Sequence, residues 1–346
     1  MRVADRSTAR NYLTYLNKAK NDYAKTNERV ASGVRFKDIS EDVSAGSRVI
    51  RTKTDLYKAQ KQLDNVKGVN EEMTTTENAM TDISDILTEI HNVKVTAAKS
   101  ENAGASGRSV IAGEIKSLQQ EILQFANTQY GKKYVFGGTN SYTAPFTQDK
   151  DTGKLLYNGV DVDSIQKDDA GYFYEVTDPD TGDKVRKEIP MDGDVYMDVG
   201  LGIKMSGPNV DPDTGFLISF SGLDFLGFGT DADGLSNNIF NILNEVRESI
   251  GTYDAEKLDA ADDKLSKLTD GFRTHLTDIG ARTGFLSTIE GRLSDTVDSY
   301  SRRISDLIGV NDAEEATNQS MNDYVLKAVL QMGSRILPVS LMDFLG

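Results

Sequence analysis

Residues that could do chemistry are few here and badly placed for it. The two histidines, His91 and His275, lie on different helix-patterned stretches, and neither belongs to an H-E-x-x-H string, so the spacing that brings two imidazoles to one zinc ion is missing. Cysteine is absent altogether, which removes disulfides, thiolate metal ligands and cysteine nucleophiles. The string Phe136-Gly-Gly-Thr-Asn140 has neither the Lys-Ser/Thr of a phosphate loop nor the G-x-G-x-x-G of a dinucleotide fold. It reads as a turn.

Aspartates are the one chemically suggestive group. Asp149-Lys-Asp-Thr-Gly153, Asp178-Pro-Asp-Thr-Gly182 and Asp211-Pro-Asp-Thr-Gly215 each open like a calcium-binding EF-hand loop, but the twelfth positions hold Val160, Ile189 and Gly222 where a bidentate glutamate is needed. Asp-Pro favours a type I turn and the closing glycine supplies a positive φ, so each string is expected to join two antiparallel strands. No catalytic residue, cofactor or metal is expected.

The elements around these strings are mostly helical. Leu258, Ala261, Leu265, Leu268, Phe272, His275 and Ile279, followed by Leu286, Ile289, Leu293 and Tyr300, recur in steps of three, four or seven, which is a heptad seam. His275, on that seam, is expected to be a hydrogen-bonded core histidine. The first part of the chain has the same signal in Leu56, Ala59, Leu63, Val66, Met73, Met80, Ile83, Leu87, Ile90 and Ala97. It returns in Ile111, Ile115, Leu118, Ile122 and Phe125. Between them, Asn102-Ala-Gly-Ala-Ser-Gly107 has the composition of a connection between antiparallel helices. A phase slip at Gly251-Thr-Tyr-Asp254 predicts a break or kink.

From Gly131 to Asn237 the period changes to short apolar runs between glycines, prolines and aspartates, a β pattern. The predicted fold is therefore α+β: an elongated antiparallel helical bundle, or coiled-coil rod, built from both chain ends and carrying a central β-rich hairpin insert. Its expected parts are an N-terminal helix segment 1–45, rod segments 46–138 and 236–308, an acidic outer domain 139–235, and a C-terminal helix segment 309–346.

Charge is distributed unevenly among these parts. The net charge is −15, and residues 140–235 alone hold 19 acidic and 7 basic side chains, whereas residues 1–50 hold 6 and 10. An acidic chain with only a short basic arm lacks the clustered cationic face that nucleic acid requires. No apolar run approaches the roughly 20 residues that span a bilayer. The opening MRVADRSTARNYLTYLNKAK lacks the apolar core of a cleaved secretory signal. Neither nucleic acid nor membrane is an expected partner.

The two ends remain unsatisfied. Tyr12, Leu16, Ala19, Tyr23 and Val30 form a thin stripe on one, and Met321, Val325, Ala328, Met332 and Ile336, continued by Leu341, Phe344 and Leu345, form another. A single helix with so narrow a stripe gains little by folding alone. The C-terminal stripe has no evident partner except residues 1–30. These thirteen residues are the candidate assembly interface, and both segments are expected to be disordered in the free subunit.

At both ends the residues resemble the flagellin superfamily, on its hook-filament junction branch. In the first half the resemblance rests on Met1-Arg2-Val3, Ala31-Ser-Gly-Val-Arg35 before Glu41-Asp42, and Ala126-Asn127. Its most specific string is Tyr134-Val-Phe-Gly-Gly-Thr-Asn-Ser-Tyr-Thr-Ala-Pro-Phe146. In the second half it rests on Arg292-Leu293, Ser301-Arg-Arg-Ile-Ser-Asp306, Asp312-Ala-Glu-Glu-Ala316 and Ser340-Leu-Met-Asp-Phe-Leu345. Val43 stands where this branch commonly has proline.

The resemblance implies a structural, non-enzymatic subunit in a ring of its own copies, with the first junction protein on the hook side and flagellin on the filament side. It further implies export through the flagellar type III channel without a cleaved signal, and a chaperone that shields the C-terminal stripe. A filament subunit is the nearest alternative. A flagellin-like metalloprotease would need zinc-ligand histidines in the insert, which has none, and a coiled-coil adhesin would not need the terminal strings.

Overall fold

The computed structural model describes residues 2–100, 103–139, 142–168, 171–178, 183–189, 195–200, 202–207, 209–211 and 214–345, with side chains from residue 7 to residue 333 apart from Asn209. The helices are α1 (Arg2–Ser32), α2 (Val43–Glu89), α3 (Thr96–Lys99), α4 (Gly104–Ala126), α5 (Gly222–Leu226), α6 (Ile239–Thr252), α7 (Ala255–Ile308) and α8 (Asp312–Leu345). A π-helical turn, Ile90–Val95, joins α2 to α3. None of the described helices is long and apolar enough to cross a membrane. The chain divides into two compact units, Met1–Lys61 with Leu293–Gly346, and Gln62–Arg292.

In the larger unit the α2 and α7 segments run antiparallel. Asn70 donates to Glu290 at 3.0 Å, Arg273 to Thr88 at 2.9 Å, and His91 meets Asp262 at 2.8 Å, so residue numbers rise along one helix as they fall along the other. Met73, Met80, Ile83, Leu87 and Ile90 are buried on one side, and Leu258, Ala261, Leu265, Phe272, Ile279 and Leu286 on the other. Each of these side chains except the smaller Ala261 contributes roughly 1.5–3 kcal/mol by leaving water. Leu268 is only half-buried, and Thr269 takes the buried place beside it, its hydroxyl donating to Leu265 O at 2.8 Å.

Two seam expectations are corrected. Ala97 is exposed and Ala98 is buried, because the π-turn takes up one extra residue. An unbroken α phase would carry Lys94 onto the seam after Leu87 and Ile90. The inserted residue puts Val95 there instead and leaves Lys94 outside, paired with Glu114 at 2.9 Å. Residues eight apart on an α-helix diverge by about 80°, and the same insertion lets His91 and Lys99 share the Asp262 carboxylate, Lys99 at 2.7 Å. His275 is the second correction. It is exposed, with its ring edge-on to Phe225 at 6.0 Å between centroids, so it borders the core without entering it.

Packing of α4 on α6 completes the helical part of this unit. Gln119 is buried and donates to Phe240 O at 2.7 Å and to Asn244 at 3.0 Å. Asn238 caps α6 by accepting from the N–H groups of Phe240 and Asn241. The predicted break falls after Thr252, where Tyr253 adopts a left-handed φ of 54° and Arg108 stacks over its ring at 3.5 Å.

The insert carries short antiparallel strands: β1 (Gln129–Tyr130), β2 (Lys133–Tyr134), β3 (Phe146–Gln148), β4 (Leu155–Tyr157), β5 (Val160–Asp161), β6 (Ile165–Asp168), β7 (Gly171–Thr177), β8 (Lys184–Glu188), β9 (Tyr196–Met197), β10 (Met205–Ser206), β11 (Asn209–Val210) and β12 (Phe216–Leu217). They pair as β1-β2, β3-β4-β5, β6-β7-β8, β10-β11 and β12-β9. The first aspartate string is the β3–β4 turn. Asp149 accepts from the N–H groups of Asp151 and Thr152, and Gly153 has a φ of +72°. The second string joins β7 to β8, with Asp178 N donating to Asp183 O at 2.8 Å; its residues 179–182 lie outside the described set. The third departs from expectation, since it leads from β11 to β12, which pair with different strands. Phe136, Phe146, Tyr157 and Leu226 form the buried base of the insert, and Gly222 approaches so closely that a Cβ there would lie 2.3 Å from the Phe146 ring.

Candidate assembly interface

The smaller unit is built on a joint and a helix pair. Helix α1 stops at Ser32 because Gly33 turns the chain with a φ of +66°. Asp42 then starts α2, its carboxylate accepting from Ala45 N at 2.9 Å while also pairing with Arg35 at 3.1 Å. Between these points the chain is tied to the end of α7: Val34 bridges Gly309, and Arg35 N donates to Ile308 O at 2.7 Å. Phe36, Ala45 and Val49 close a small core against Leu307 and Ile308. Lys37 sits 2.5 Å from Glu28 and holds that exposed carboxyl below its ordinary range.

This joint sends α8 back antiparallel along α1. Tyr12 and Ala19 are buried in the pair, and Leu16 and Tyr23 half-buried, whereas Val30 at its end is exposed. Thr26 continues the heptad in the place where an apolar residue would be sought. It is buried, accepts from Asn322 at 2.6 Å, and donates to Asp22 O at 2.6 Å. Gln319 donates to Asn27 at 2.9 Å, and Arg29 reaches Glu315 at 3.8 Å.

On α8 the face turned to α1 is the series Glu315, Gln319, Asn322, Leu326, Val329 and Gly333, in steps of four and three. All six are buried or half-buried. Half of the series is polar and one member is glycine, so hydrophobic periodicity passes over it. The apolar stripe that periodicity does select lies elsewhere. Met321 is 63% exposed, Met332 58% and Val325 42%, while Ala328 is half-buried. At 3.6 residues per turn this stripe is displaced by about 100° from the α1-facing series. Beside it, Tyr12, Tyr15, Ala19, Val325, Val329 and Met332 line a surface groove of about 680 Å³ with Asn11, Lys18 and Asn322 at its edge. The side chains of Ile336, Leu341, Phe344 and Leu345, also candidates, lie outside those described.

The two chain ends thus form a helix hairpin that is partly polar along its seam and carries an exposed apolar stripe on α8. Residues 3–141 match the family model of the bacterial flagellin N-terminal helical region. The match covers less than half of the chain. It takes in α1 to α4 and the first β-hairpin, and so the seam face of α1 and the α1–α2 side of the joint.

Among solved structures, the chain is similar to a protein from Vibrio parahaemolyticus assigned as flagellar hook-associated, with 16% identity over 78% of this chain and all of that one, at a TM-score of 0.53. It also aligns with FlgL of Bacillus cereus, 17% identical over 75% and 99% of the two chains at a TM-score of 0.45. A third alignment is with flagellar hook associated protein-3 of Legionella pneumophila, 13% identical over 75% and 98% at 0.46. No curated protein matches the chain by sequence. The Vibrio likeness establishes a shared fold extending well beyond the flagellin N-terminal region.

Proposed function

We propose that this chain is a structural subunit of the bacterial flagellum at the junction of hook and filament. In this reading a ring of its copies is bound on one side by the first junction protein and on the other by flagellin. The observation that carries it is the apolar face of α8 left open after α8 has packed on α1, in a chain whose residues 3–141 match the flagellin N-terminal helical region. The junction strings at both ends and the fold shared with the Vibrio protein support the junction over a filament position.

Segments 1–45 and 309–346 are then unpaired in the free subunit and form the hairpin on assembly, which ties the cost of ordering them to correct placement. Their polar seam suits this, because a chain end with a narrow apolar stripe stays soluble while unpaired. Export follows the flagellar type III channel without a cleaved signal, with a chaperone over the open face of α8.

Deletion of the gene, read by electron microscopy and a secretion assay, tests the reading. Hooks without filaments and flagellin in the medium are expected; normal filaments would refute it. Seeding purified protein with filament fragments separates the filament alternative, since a filament subunit grows long polymers and a junction subunit does not.

A further inference from the structure

The seam between α1 and α8 interrupts its apolar residues with polar ones at positions where apolar ones would hold better. Thr26 is buried and bonded to Asn322, Asn27 is bonded to Gln319, and the opposite end closes on Gly333, which packs against the Tyr12 hydroxyl. All three contacts align the helices in one antiparallel register. We propose that these residues are a register lock, which selects one pairing of the chain ends at the expense of its strength.

Sliding α8 by one heptad shows what the lock excludes. In one direction Thr26 meets Glu315 and Leu326 arrives beneath Tyr12, where even a Cβ on residue 333 would lie 1.9 Å from the Tyr12 oxygen. In the other direction Thr26 meets Val329, and both Thr26 and Asn322 lose their side-chain partner. A seam with leucine at these heptad positions would accept either slip, because knobs and holes repeat every seven residues. A single buried polar pair is the best-attested device for removing that degeneracy. For chain ends that must find each other after emerging unpaired, a slipped hairpin would present α8's open face at the wrong height. This inference rests on the α1–α8 pairing and not on the flagellar reading.

The absence of cysteine makes disulfide trapping in the full-length chain a clean test. Three double-cysteine forms report three registers: Ala19→Cys with Leu326→Cys the observed one, and Ala9→Cys with Val329→Cys or Tyr23→Cys with Val329→Cys the two slips. The ratio of cross-links reports register whatever fraction of chains is paired. In the parent chain only the first pair should cross-link. In a Thr26→Leu, Asn322→Leu background the Tyr23–Val329 slipped product should rise about tenfold, the scale set by one buried hydrogen bond, while pairing persists and the slip that seats Leu326 beneath Tyr12 stays excluded; Thr26→Ser, which keeps the hydroxyl, should restore selectivity. Unchanged selectivity in the leucine background overturns the proposal. So does loss of all cross-linking there, which would mean that the polar contacts supply strength.

Discussion

Gly333 packs directly against the Tyr12 hydroxyl, so closely that a Cβ at position 333 would sit 1.9 Å from that oxygen. Glycine inside a helix ordinarily costs about 0.5–1 kcal/mol relative to alanine. Gly333→Ala should reverse that sign, weakening the hairpin by about 1–3 kcal/mol through overpacking. Amide exchange in α1 should quicken in the variant wherever the two chain ends are paired. Slower exchange would mean that the phenol swings aside without penalty.

On the open face of α8, Met321→Asp with Met332→Asp replaces two apolar side chains that are each more than half exposed. Exposed substitutions of this kind change stability within about 0.5 kcal/mol, so the melting curve should hold. Under the proposed function, assembly onto hooks should fail. Wild-type motility in the double variant would remove this face from the interface.

Glu72 predicts a pH dependence. Its carboxyl is raised above the ordinary range chiefly by burial, with Lys133 opposing. A raised acid binds its proton more tightly when folded, so its contribution to stability is present at low pH and is lost as pH rises through the folded value. Glu72→Gln should therefore be more stable than the parent at neutral pH and no better in acid. Denaturant titration at both pH values reads this, and a gain confined to acid would contradict it.

The π-turn gives a test by deletion. Removing exposed Asn92 shortens Ile90–Val95 by the residue it holds in excess, leaving Val95 and Ala98 in phase with Leu87 and Ile90. Thermal unfolding should stay cooperative, with a loss below about 2 kcal/mol. Deleting Met80, which lies in the same helix within the unbroken phase, should abolish folding, since a one-residue slip rotates every later seam residue by about 100°.

Much of the architecture could be read from residue spacing. The α2 and α7 seams, the break before Asp254 and the β-rich insert each show in period or turn chemistry, because burial repeats with the geometry of the element. What escaped was set by single insertions and close approaches. Ala97 lies in heptad phase yet is exposed, because no local signal marks the π-turn that shifts the phase by one residue and leaves Lys94 beside the seam. His275 occupies a heptad position yet faces outward, since heptad spacing marks a sector of the helix and not each residue's depth. On α1 four of the five candidate residues, Tyr12, Leu16, Ala19 and Tyr23, are buried or half-buried in the pair with α8. On α8 periodicity selected the open face and missed the paired one, because Gln319, Asn322 and Gly333 pack without being apolar.

That miss reveals how α8 divides its circumference. The residues that meet α1 and those on the outer stripe are different residues, so occupying one set does not require vacating the other. Under the proposed function, a neighbour that fills the groove beside Val325 and Met332 also meets Tyr12, Tyr15 and Ala19 of α1, so docking there reads whether the two chain ends have already met.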